Sequence, residues 1–179
     1  MLFSGVIPIL VLLTSVTGPI GFAQLHHSTF EKVTIRNGLS QSTVTHILQD
    51  QYGFLWFATY DGVNKYDGHS FQIFRNDEKN PSTLSNNAIV FMLEDSQGGI
   101  WMVNNSNAGL DRFDPLTEKF TRFRHDAANP ASISSDFVNR VAEDRQGNIW
   151  VCTRNGLDVF VAQKKDQGIQ GNFQRVGKG

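Results

Sequence analysis

The chain has 179 residues, 40% of them hydrophobic and 18% charged, with a formal net charge of −1. This balance describes a globular domain with enough apolar side chains to bury a core, and it excludes a disordered chain. Acidic and basic residues are interspersed, so no charge pattern selects nucleic acid or an anionic membrane as partner. The single cysteine, Cys152, excludes an intramolecular disulfide and a cysteine-rich metal site.

In chain order, the first element is an apolar run from Val6 to Val16, interrupted by Pro8, Thr14 and Ser15. It is shorter than the ~20 apolar residues that a membrane span needs. Gly21-Phe22-Ala23 puts small residues where a signal peptidase reads, so residues 1–23 are expected to be an export signal cut after Ala23. That makes the chain periplasmic or secreted. No Lys or Arg precedes the apolar run, which points to a start lying upstream or to a weak signal; a buried helix or an uncleaved anchor is the alternative reading. Residues 24–43 form a leading segment and linker. Within it, Phe30 to Ile35 is expected to be an outer strand, because it resembles Phe71-Gln-Ile-Phe74 and Phe120-Thr-Arg-Phe123.

From residue 44 the chain repeats itself. Asp50, Gly53 and Trp56 recur as Asp95, Gly98 and Trp101, and again as Asp144, Gly147 and Trp150. Each tryptophan is followed by a Gly-Val or Gly-Leu step at Gly62, Gly109 and Gly156, and these glycines lie 47 residues apart each time. The linkers Asn80-Pro81-Ser-Thr-Leu-Ser85 and Asn129-Pro130-Ala-Ser-Ile-Ser134 also match. The repeats occupy residues 44–85, 86–134 and 135–179. The middle copy has two extra residues between Trp101 and Gly109, read as a longer loop over Asn104 to Asn107.

Each copy reads as four short strands. In the first, Val44–Leu48, Phe54–Thr59, Val63–Tyr66 and Ser70–Phe74 are apolar or β-branched. They are separated by Asp50–Gly53, Asp61-Gly62 and Asp67-Gly68, which are turn sequences. Turn residues interrupt the chain too often for a helical period to survive. The expected fold is all-β, with four-stranded antiparallel β-propeller blades, about three of them. Known rings need at least about four blades, so an incomplete ring is expected, as a truncated chain or one that completes itself by association.

These residues resemble the two-component regulator propeller repeat. The shared elements are a serine-containing start, the Asp-x-x-Gly turn, the Leu/Ile-Trp pair and the Gly-Leu/Val-Asn/Asp segment ending in Tyr/Phe-Asp. The third copy departs at Val161, which follows Phe160 in place of aspartate. The resemblance covers roughly Thr29 to Phe173. It implies a periplasmic sensory propeller of a transmembrane signalling protein, with a histidine kinase or diguanylate cyclase output that this chain lacks. It also implies an extracellular ligand, carbohydrate among the options. A propeller enzyme (lyase or hydrolase) and a remnant without function of its own are the alternatives.

The individual residues are expected to be mostly structural. Trp56, Trp101 and Trp150 should pack between blades, and Asp50, Asp95 and Asp144 should shape turns. Gly53, Gly98, Gly147, Gly62, Gly109 and Gly156 mark the repeat. His26, His27, His46, His69 and His125 lack partners at ligand spacing, and no metal or cofactor is expected. Cys152 is expected to be a buried, inert thiol. Asn104-Asn105-Ser106 forms a glycosylation sequon. The ligand-facing candidates are loop tips on one rim: Tyr60 and Asp61, then Asn104, Asn105 and Asn107, then Arg154 and Asn155. Exposed blade faces are expected to drive self-association, and membrane attachment would come only from a region beyond this chain or from an uncleaved signal.

Overall fold

The computed structural model describes residues 32–164 and 169–177, with side chains of residues 163, 164, 169 and 170 left aside. The expected export signal over 1–23, His26, His27 and the beginning of the leading strand at Phe30 lie outside the described residues. Three four-stranded antiparallel sheets follow one another along the chain. The first contains β1 (Val44–Gln49), β2 (Leu55–Thr59), β3 (Gly62–Tyr66) and β4 (Phe71–Phe74). The second contains β5 (Ile89–Glu94), β6 (Ile100–Asn104), β7 (Leu110–Asp114) and β8 (Lys119–Phe123). The third contains β9 (Val138–Glu143), β10 (Ile149–Thr153), β11 (Gly156–Lys164) and β12 (Ile169–Arg175). Within each sheet the strands pair in sequence order, as a meander.

The turn between the first two strands of each sheet explains the repeated aspartate and glycine. Asp50 Oδ1 accepts hydrogen bonds from the Tyr52 and Phe54 backbone N–H groups at 3.0 and 2.9 Å. Gly53 takes φ 91°, a left-handed conformation that costs a glycine least. The other carboxylate oxygen accepts from Trp56 Nε1 at 2.8 Å. Trp101 donates to Asp95 and Trp150 to Asp144 in the same way, at 2.8 and 2.9 Å. One carboxylate per repeat thus shapes the turn and satisfies the indole N–H that burial would otherwise strand.

Successive sheets stack through unlike faces. Trp56, Ala58 and Val63 of the first sheet meet Ile100, Met102, Phe113 and Phe120 of the second. Trp101, Val103 and Leu110 of the second meet Ile149, Val151, Phe160 and Phe173 of the third. Trp56 and Trp101 are 0% exposed. Each is held between a ring of its own sheet (Phe74 at 5.7 Å, Phe123 at 5.3 Å) and a ring of the next (Phe113 at 5.1 Å, Phe160 at 5.3 Å). Carboxylates clip the same joints at the turns. Glu94 accepts from the Gln51 N–H and Glu143 from the Ser96 N–H. The three sheets do not close into a ring.

The structure corrects three expectations. Val33 to Ile35 is not a strand. Thr34 instead caps a single 3-10 turn, Ile35–Asn37, and trades hydrogen bonds with the Asn37 side chain, while Gly38 ends the turn at φ 106°. Local side-chain-to-backbone bonds win over extended pairing there. Cys152 is exposed, not buried. It sits two residues after Trp150, where Ala58 and Val103 each pack on a following sheet, and no following sheet covers it among the described residues. Trp150 is half-buried for the same reason, so only Trp56 and Trp101 pack between blades.

Candidate functional site

The inner strands β1, β5 and β9 lie side by side and carry equivalent residues at His46, Phe91 and Arg140, each ten positions before its tryptophan. These side chains meet across the three blades. The His46 ring lies tilted at 4.7 Å from that of Phe91, and the Arg140 guanidinium lies 5.1 Å from the centre of the Phe91 ring. Burial, helped by the Arg140 charge, lowers the His46 pKa below its ordinary value and favours the neutral ring.

A cleft of about 280 Å³ opens beside these residues, where the second and third blades meet. Its walls are Val90, the loop residues Asn104, Asn105 and Ser106, and the strand-start residues Phe137 to Arg140. Phe137 is 42% exposed, although it is a large aromatic next to a core strand. Arg154 lays its guanidinium 5.1 Å over the Phe137 ring and donates its backbone N–H to the Phe137 carbonyl. Among the described residues, neither Arg140 nor Arg154 has an acidic partner. The cleft therefore combines a flat apolar ring, one cation in its wall, a second cation at its flank and side-chain amides. Such a lining suits a small polar ligand with one apolar face.

The seven loop candidates are distributed unevenly. Asn105 lines the cleft and Arg154 flanks it through Phe137. Asn104 is buried and points inward. Its Nδ2 donates to the Gly109 carbonyl at 3.0 Å and its Oδ1 accepts from the Ala108 N–H at 3.3 Å, so the sequon nitrogen is engaged in closing its own loop. Asn107 offers its carbonyl to Arg124. Asn155 donates to the Ser134 carbonyl and lines a separate cavity with His125, Ser134 and Arg175. Asp61 pairs with Arg75 at 2.9 Å on the surface, and Tyr60 is exposed beside it. Sequence reasoning missed Phe137, Asn139 and Arg140. Phe137 stands where the other copies have Thr43 and Ala88, so comparing the copies position by position would have exposed it.

Tandem four-stranded antiparallel meanders, stacked with their first strands innermost, define this protein as an array of β-propeller blades. A sequence profile described as "Two component regulator propeller" matches residues 38–61, 83–106 and 132–155, so the chain carries three copies of that repeat. It superposes on the extracellular domain of a protein from B. thetaiotaomicron assigned as a hybrid two component system. The TM-score is 0.69 with 27% identity, covering 83% of this chain and 20% of that one. It is also 46% identical over 63 residues to a protein named Histidine kinase P4 from Formosa agariphila, covering 35% of this chain and 5% of that protein. The chain therefore spans about one fifth of the first relative and one twentieth of the second.

Proposed function

We propose that this chain is an extracytoplasmic ligand-sensing module of a two-component or related transmembrane signalling protein, and that its part is binding rather than catalysis. The similarity to an extracellular sensor domain supports the setting, as do residues 1–23 with their apolar run and Ala23. The single observation that carries the choice of site is the exposed Phe137 ring under Arg154, in a cleft it shares with Arg140, Asn105 and Asn139. A saccharide fits this chemistry. One face of a sugar ring is apolar and stacks on an aromatic ring, while its hydroxyls take amide hydrogen bonds. The two guanidinium groups, without an acidic partner among the described residues, favour a sugar bearing a carboxylate over a neutral one.

Calorimetric titration of the whole chain with neutral and uronic-acid oligosaccharides tests this reading. The uronic-acid series should bind more tightly, and Phe137→Ala should weaken binding by about tenfold, roughly 1.4 kcal/mol. Equal affinity of wild type and Phe137→Ala for every saccharide would refute the site.

A further inference from the structure

The second blade buries a carboxyl group whose partners differ from those of its counterpart in the first blade. Asp111, in β7 opposite Met102 of β6, is 0% exposed. Its Oδ2 accepts two hydrogen bonds from Ser85, from the backbone N–H at 2.9 Å and from Oγ at 2.8 Å. Ser85 Oγ itself accepts from Asn104 Nδ2 at 3.3 Å, which leaves the serine hydrogen free to point at Asp111. The second carboxyl oxygen, Oδ1, is just as buried and has no partner.

The third blade repeats this arrangement, with Asp158 opposite Val151, its Oδ2 accepting from the Ser134 N–H at 2.7 Å and its Oδ1 buried without a partner, whereas the first blade shows how that second atom can be satisfied. Asn64 occupies the same place in β3, opposite Phe57. Its Oδ1 accepts from the Ser40 N–H at 2.8 Å, as Asp111 Oδ2 does from Ser85. Its Nδ2 donates to the Phe57 carbonyl at 3.2 Å and to Ser40 Oγ at 2.8 Å. The second side-chain atom is therefore a donor aimed at the carbonyl of the neighbouring strand. An ionised carboxylate has no hydrogen to give there, whereas a carboxylic acid has one.

We propose that in mildly acidic solution, where the unfolded chain has already ionised it, Asp111 is held in the folded chain as a neutral carboxylic acid with its Oδ1–H donated to the Met102 carbonyl, so that the joint between the Ser85 linker and the second blade is a pH-responsive latch. Two cations face the group. Arg122 lies across from it in β8, and Arg124 lies just beyond that strand. Arg122 is engaged with the carbonyls of Thr83, Asn80 and Leu84, and Arg124 with that of Asn107. The strand on the other side contributes Met102, and the linker contributes Ser85, both uncharged. Burial outweighs the two arginines and the Ser85 bonds, and pushes the Asp111 carboxyl up to about 6.

The folded state thus keeps a proton that the unfolded chain releases near pH 4. The contribution of Asp111 to stability falls as pH rises from about 4 to about 6 and levels off above. Relative to a variant without this group, the unfolding equilibrium constant should rise roughly a hundredfold across that window. The test is urea unfolding of the whole chain and of Asp111→Asn from pH 4 to pH 7.5. His46 titrates in both proteins and cancels in their ratio. The proposal expects Asp111→Asn to gain on wild type as pH rises and to be the more stable of the two at pH 7.5. A pH-independent ratio, or an Asp111→Asn variant less stable than wild type at pH 7.5, would overturn it. A second measurement reads the group directly: carboxyl carbon NMR with labelled aspartate, the Asp111 signal assigned by its loss in Asp111→Asn, should show that carboxyl titrating near pH 6. Titration of the assigned Asp111 carboxyl below about pH 5 would overturn the proposal equally.

Discussion

Removing the Asp95 carboxylate should damage the molecule more than removing its counterpart in the preceding repeat. Asp50 and Asp95 make the same turn and hold equivalent tryptophans, but Asp95 also binds Arg112. Arg112 Nε reaches its Oδ2 at 2.8 Å and Nη2 its Oδ1 at 3.3 Å, with side chains only 7% and 3% exposed. At the matching place across from Trp56 the first repeat has Lys65, whose ammonium sits 4.1 Å over the Phe54 ring instead. Asp50→Ala therefore costs hydrogen bonds to a charged acceptor, about 2 kcal/mol. Asp95→Ala also strands a buried guanidinium, for a total of about 3–5 kcal/mol. The third repeat supplies a control, because Val159 stands across from Trp150 and Asp144 is completed by the Asn148 side chain at 2.9 Å. Arg112→Val should thus cost about 1–2 kcal/mol, since Asp95 keeps the Gln97, Gly99 and Trp101 donors. In Asp95→Ala/Arg112→Val the loss should be smaller than the sum of the two. Equilibrium urea unfolding of the four variants measures this. Equal losses for Asp50→Ala and Asp95→Ala, or strict additivity in the cycle, would refute the reasoning.

Three further outcomes follow from the stacking of unlike faces. Trp101→Ala should destabilise by about 3–5 kcal/mol, and Trp150→Ala by clearly less because its outer face is uncovered; similar thermal shifts for the two would contradict this. Gly109→Ala should be worse than Gly156→Ala. Both sit at positive φ, but a methyl at Gly109 strikes the Phe123 carbonyl oxygen while one at Gly156 meets nothing within 4 Å, so equal losses in unfolding experiments would count against the packing described. Finally, the face bearing Trp150 and Cys152 should make the chain self-associate. Sedimentation should show oligomers that weaken when Cys152 is modified by a bulky thiol reagent, and a monomer at all concentrations would contradict that outcome.

Most of the fold was legible because the repeat states each structural rule three times. Asp-x-x-Gly-x-x-Trp is a turn, a left-handed glycine and a buried indole in one phrase, and the strands fall within a residue or so of where these signals place them. The failures lie where one copy's surroundings differ from its siblings'. Cys152 shares the pattern of Ala58 and Val103, and no local signal says whether another sheet will cover it. Val33 to Ile35 matches an outer strand in composition, but Thr34 and Asn37 satisfy each other locally. The cleft was half visible. Asn105 and Arg154 follow from repeat equivalence, while Asn104 has a buried task that only tertiary contacts reveal. Phe137 and Arg140 come from the start of the next blade, which the loops reach only once the sheets are stacked.

The proposed ligand site lies at the joint between the second and third blades. Amide chemical-shift mapping of the whole chain during titration with a uronic-acid oligosaccharide tests it most directly. Saturable shifts should concentrate at Asn105, Ser106, Phe137, Asn139, Arg140 and Arg154, with the turn at Tyr60 and Asp61 unaffected. Saturable binding that leaves those six residues unmoved would contradict it.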